Sequence, residues 1–134
     1  MTISVPDTRQ YPLVAYVAFA VGDLVSAAAS KLFELPLGAI ITAGQYNLDA
    51  AFDSGTSDVV IIGDVTTADR YFTDANAKDA VAAGSQWVAT GYAAVAADTP
   101  VNITWTGAGT AATVGSGRII AEYIVPTRAQ ENYE

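Results

Sequence analysis

Roughly seven or eight short runs of strand-forming residues, broken by turn signals about every ten residues, constrain this chain more than any motif in it does. "LVAYVAFAV" sets Leu13, Ala15, Val17, Phe19 and Val21 against Val14, Tyr16, Ala18 and Ala20, the period-2 alternation of a strand. Both sets are apolar, so this strand is expected to be buried on both sides. "LPLG" marks a turn, and "AIITAGQYNLDAAF" after it reads as one long strand, or two joined at a bulge or bend at Gly44. "DVVIIG" is a short apolar strand ending at Gly63. "QWVATGYAAV", "VNITWTG" and "GRIIAEYIV" are read as further strands, separated by "ADTP" and by the glycine-rich "TGAGTAATVGSG". In the last of them Ile119, Ala121, Tyr123 and Val125 share one face, while Ile120 and Ile124 flank Glu122 on the other. That leaves apolar surface for a second sheet or another subunit. One stretch breaks the pattern: in "VTTADRYFTDANAKDAVAAGS", Asp64 or Thr67 can cap a short helical turn and "AKDAVAAG" can form a brief helix ending at Gly84. The fold class predicted is all-β, an antiparallel sandwich or barrel with one short helical connection.

A length of 134 residues predicts a single domain, 1–134, able to bury a core without disulfides or metal. Its ends differ from its middle. "MTISVPDTRQYP" and "PTRAQENYE" are polar and punctuated by proline, and are expected to form extended arms over about 1–11 and 126–134. The chain has no cysteine and no histidine, which removes thiol nucleophiles, imidazole bases, cysteine or histidine zinc sites and the usual Ser-His-Asp chemistry. Fourteen acidic residues against six basic ones give a net charge of -8. Arg9, Lys31, Arg70, Lys78, Arg118 and Arg128 are spread along the chain, so no nucleic-acid partner is expected. The longest apolar stretch meets Asp23 well short of the roughly 20 residues that span a bilayer, and no basic n-region precedes it. A soluble protein without a signal sequence or membrane partner is expected.

"SDVVIIGDVTTADRYF" ends an apolar run on Gly63 and Asp64, as several nucleotide-binding strands do. A dinucleotide site needs G-x-G-x-x-G between strand and helix, and here no second glycine follows before Gly84. The expected reading is a strand end with Asp64 in a turn or cap position, and no cofactor. Asp53 and Asp58, flanking "SGTS", are the best candidates for a cation site. They lack the alternating ligands and closing glutamate of a calcium loop, and solvated turns are expected instead. Trp87, Tyr92 and Trp105 suit sugar stacking, but the tryptophans lie in strand patterns and are expected in the core or a subunit seam. No pair of carboxylates is placed for glycoside cleavage, so an enzyme is not expected. Arg70, within "DRYF", is expected to pair with Asp64 or Asp69, or else to reach a neighbouring subunit.

The segments "LPLGAIITAGQYNLDAAFDSGTSDVVIIGDVTTADRYF" and "VNITWTGAGTAATVGSGRIIAEYIV" together resemble the jelly-roll capsid cement or decoration proteins of tailed bacteriophages, from about Leu35 to Val125. The resemblance implies a jelly-roll-like sandwich that decorates and stabilises the outer surface of the virion by bridging neighbouring capsid subunits. Its partners would be the major capsid protein and further copies of itself, as a dimer or trimer. It supplies no catalytic residues. Arg9, Tyr11, Arg70, Arg128 and Tyr133 are the candidate capsid or subunit contacts. The alternative is a phage fibre or tail component, or a carbohydrate-binding host-attachment module.

Overall fold

The computed structural model describes residues 11–78 and 85–126. Eight strands form two four-stranded antiparallel sheets: β1 (Leu13–Ala20), β2 (Ala29–Leu35), β3 (Ile40–Ala50), β4 (Ser57–Gly63), β5 (Phe72–Asp74), β6 (Ser85–Gln86), β7 (Thr99–Ala108) and β8 (Ser116–Ile124). One sheet has the order β1-β8-β3-β6 and the other β2-β7-β4-β5. β1 lies beside β8, β2 beside β7, β3 beside β6 and β4 beside β5, nested as one long hairpin rolled over on itself. This is the jelly-roll-like sandwich expected.

The core follows from alternation. On β7, Val101, Ile103 and Trp105 are buried while Asn102, Thr104 and Thr106 face outward. On β8, Ile119 and Ala121 are buried and Arg118 and Glu122 are exposed. Tyr46 and Leu48 of β3 and Val60 and Ile62 of β4 complete the layer between the sheets. Each such aliphatic side chain contributes on the order of 2 kcal/mol by leaving water. Aromatic rings lock the layer: Tyr46 lies 6.2 Å from Phe19 and 4.7 Å from Phe72, and Phe52 stacks on Trp105 at 5.2 Å.

Four local expectations are corrected. First, β1 is covered on one face only, with Val14 63% and Tyr16 60% exposed, because a two-sheet sandwich leaves the outer face of each sheet to solvent. Second, "QWVATGYAAV" is not a strand beyond Gln86: Trp87 donates its backbone N-H to Gly44, Val88 to Tyr71 and Ala94 to Ala39, so the segment is tied to three elements in turn. Third, the bulges of β3 fall at 41–43 and 48–50 rather than at Gly44. Gly44 instead makes room, since a Cβ there would lie 2.2 Å from the Trp87 ring. Fourth, among the described residues the helical turn is a 3-10 turn at Val21–Asp23, where the Ala20 N-H donates to the Asp23 carboxylate at 3.0 Å. Between β4 and Lys78 the chain forms turns and the short strand β5, and the rest of the expected "AKDAVAAG" helix, 79–84, lies outside the described residues.

Candidate functional site

The turn after β4 is built around one carboxylate. Asp64 accepts the backbone N-H groups of Thr66 at 3.0 Å and Thr67 at 2.7 Å, closing the chain immediately after Gly63. A Cβ on Gly63 would lie 2.3 Å from the Thr67 carbonyl oxygen, so the tight turn requires glycine. "IGD" is thus a strand end closed on itself, and the Asp64 N-H is spent within the turn on the Thr67 carbonyl at 2.9 Å.

Arg70 finds its partner within the chain. Its guanidinium donates to Asp64 and to the Thr67 hydroxyl at 3.2 Å, and lies 3.6 Å above the centre of the Tyr92 ring. The hydrogen bond to Asp64 raises the Arg70 pKa further above its usual range. Arg70 thereby pins the 64–71 turn to the 87–95 segment, and the Val88–Tyr71 bond of 2.9 Å adds a second tie. The β2–β3 turn joins the same body, since Gly38 donates to Ala94 at 2.7 Å and Ala94 to Ala39 at 2.9 Å.

These fastened loops sit at one end of the sandwich, where β2 and β4 finish and β3 and β7 begin. Leu13 of β1 pairs there with Tyr123 of β8, so the chain enters β1 and leaves β8 at this same end. Leu37, Val65 and Val95 are exposed on these loops, at 56%, 79% and 75%. These apolar side chains stand out on loops held by hydrogen bonds, and Tyr11, half-exposed at the first described position, leads into β1 at the same end. Arg9, Arg128 and Tyr133 lie outside the described residues.

The acidic candidates part company. Asp53 is at the surface, where it accepts Thr113 N-H at 2.7 Å, the Thr113 hydroxyl at 2.9 Å and Val114 N-H at 2.9 Å. These bonds, that from Val114 foremost, hold its carboxyl below the usual range. Asp58, expected in a solvated turn, is buried: it accepts the Trp105 indole N-H at 2.7 Å, the Ser54 hydroxyl at 2.6 Å and the Ser54 backbone N-H at 3.0 Å. Both carboxylates serve to fasten loops. Among the described residues no group of three or more acidic side chains is gathered as metal ligands, and no helix is long and apolar enough to cross a membrane.

Both tryptophans are inside, Trp105 on Asp58 and Trp87 between Gly44 and Tyr71, whose ring lies 5.8 Å away. Tyr92 is half-buried under Arg70. None of the three aromatics offers an open face in a groove.

No family model matches the sequence, and no curated protein does. The fold has counterparts among solved structures. A chain of the cyanophage Pam1 capsid asymmetric unit superposes with a TM-score of 0.72 at 22% identity, over 94% of each chain. A chain of the acid-stable capsid of Helicobacter pylori bacteriophage KHP30 superposes with a TM-score of 0.63 at 16% identity, over 91% of this chain and 94% of that one.

Proposed function

We propose that this chain is a structural virion protein that decorates a bacteriophage shell, binding its outer surface where neighbouring capsid subunits meet. The observation that carries the reading is the likeness, over nearly the whole length of both chains, to a chain of a phage capsid asymmetric unit. The attachment surface we assign is the fastened loop end with Leu37, Val65 and Val95, together with the two terminal segments that begin beside it. Arg9, Tyr11, Arg128 and Tyr133 are the anchors available on those segments. Rigid loops favour attachment because little conformational entropy is lost on docking. Several copies engaging one shell add effective concentration, so a modest single contact suffices. The buried tryptophans weigh against a carbohydrate-binding module, which would present aromatic faces to a sugar.

The test is to mix undecorated shells with full-length protein, with chains lacking 1–10 or 127–134, and with a Leu37→Asp, Val65→Asp double variant. Full-length protein is expected to be retained. The truncations and the loop variant are expected to lose copies without a change in melting temperature. Normal retention of all three altered proteins would overturn the assigned surface. Failure of full-length protein to bind shells would overturn the decoration reading and favour a host-attachment role.

A further inference from the structure

The four sheet edges of this sandwich are unequally protected. β5 and β6 are three and two residues long. β2 carries the Lys31–Glu34 ion pair and a bulge between Lys31 and Phe33, both of which discourage a further strand. β1 has none of these devices. Its eight residues, "LVAYVAFA", contain no charge and no proline, and pair with β8 without any shift of register. Among the described residues no strand pairs with its other side. Its outward side chains include Val14 and Tyr16, both well exposed, beside the half-buried Ile120 of β8. An uncharged, regular, eight-residue edge is a template for another strand.

We propose that β1 pairs antiparallel with β1 of a second copy, joining the two β1-β8-β3-β6 sheets into one continuous sheet about a two-fold axis at Tyr16. The pairing is isologous, so one contact covers both open edges and closes the assembly at two copies. The charges on β8 select the register. Antiparallel strands must pair outward residues with outward ones, which allows a two-fold axis at Tyr16 or at Val17. Val14 lies beside Glu122 and Ala18 beside Arg118. With the axis at Tyr16, Val14 faces Ala18 of the other copy. Each cross-strand row then carries Glu122 at one side and Arg118 at the other, with only small side chains between; that Arg118 pairs at 3.0 Å with Asp49 of β3, on the side away from the seam. An axis at Val17 sets Val14 against Ala20 and loses that complement. In a chain of net charge -8, a contact strip that is itself uncharged, and that sets Glu122 against the Arg118 side of an ion pair rather than against another carboxylate, is where two copies repel least. The Tyr16 axis also places the two Tyr16 rings directly opposite one another, a favourable cross-strand aromatic pair. The proposal is independent of what the protein attaches to.

The full chain is expected to sediment as a dimer at micromolar concentration, and a Tyr16→Lys, Ala18→Lys variant as a monomer with unchanged circular dichroism. Because the natural chain has no cysteine, Tyr16→Cys gives one thiol per copy. Directly opposed antiparallel residues have Cα atoms about 4.5–5.5 Å apart, within the reach of a disulfide. Mild oxidation is expected to convert this variant to a covalent dimer, while Val25→Cys, exposed at the other end of the sandwich, stays uncrosslinked. A monomeric full chain, a dimer that survives both lysines, or a Tyr16→Cys variant that crosslinks no better than Val25→Cys would overturn the pairing. If the lysine variant fails to fold, the cysteine pair decides.

Discussion

The indole N-H of Trp105 donates to the buried Asp58 carboxylate at 2.7 Å, diagonally across the β4–β7 ladder. The same carboxylate holds Ser54, and the Asp58 carbonyl accepts from the Ala77 N-H at 2.9 Å, so three stretches of chain meet at one residue. Asp58→Ala leaves the indole and the Ser54 hydroxyl buried without an acceptor. It is expected to lower stability by about 3 kcal/mol in denaturant unfolding followed by tryptophan emission. Asp58→Asn keeps one carbonyl oxygen and should cost less. An asparagine variant as unstable as the alanine one would locate the stabilisation in the charge rather than in the acceptor.

Arg70 acts through shape as much as charge, since one planar group serves Asp64, Thr67 and Tyr92 together. Lysine keeps the charge and loses the fork and the stacked face. Arg70→Lys is therefore expected to cost about 1–2 kcal/mol. Amide exchange should accelerate at Thr66, Thr67 and Val88 while the β7 and β8 amides keep their protection. Equal acceleration throughout would mean that the fastening is global rather than local.

Gly44→Ala sets a methyl group against the Trp87 ring, where no space exists. The ring must swing out or β3 must shift, and overpacking of this kind costs about 1–3 kcal/mol. A red-shifted tryptophan emission accompanied by loss of near-ultraviolet dichroism is the expected signature. An unchanged spectrum would show that the ring has another pocket.

The tyrosines give a pH dependence with a definite sign. Burial, assisted by the Asp64 charge, pushes Tyr71 up to about 12, and burial with Asp74 nearby pushes Tyr46 higher still. Both hold their protons more tightly folded than unfolded. Their stabilisation is complete below the ordinary tyrosine value of roughly 10 and is lost as pH rises through the folded values. Phenolate absorbance from Tyr71 and Tyr46 should therefore appear last, together with alkaline unfolding. Titration of Tyr46 and Tyr71 while the protein stays folded would contradict their burial.

What could be read from the sequence depended on polar punctuation. β7 was legible because Asn102, Thr104 and Thr106 interrupt its apolar residues, and β8 because Arg118 and Glu122 do the same. β1 was legible as a strand but not as one with an open face, since Val14 and Tyr16 are as strand-prone as the residues that face inward, and alternation does not record whether a face is covered. The Trp87–Val95 stretch has strand composition, yet its hydrogen bonds go to Gly44, Tyr71 and Ala39, which only the tertiary structure brings near. Asp58 looks like a turn residue within "SGTSD", and what buries it is a tryptophan 47 residues away. At the loop end, the Arg70–Asp64 pair was within reach because both partners lie in one connection. The exposure of Leu37, Val65 and Val95 at one end was not, because three separate connections contribute to it.

The position of β8 between β1 and β3 sets a clock on biosynthesis. Leu13 pairs with Tyr123 and Ile40 with Ile124, so the first and third strands made wait for the last. While a ribosome is still translating the second half, that sheet lacks its central member, and β1 and β3 cannot be bridged. Closure must follow the synthesis of β8, and with pairings this remote in sequence it belongs to the slow, millisecond-to-second class. Within that sheet the uncharged β1 waits longest for its partner, which makes the interval before β8 arrives the period of greatest exposure to aggregation.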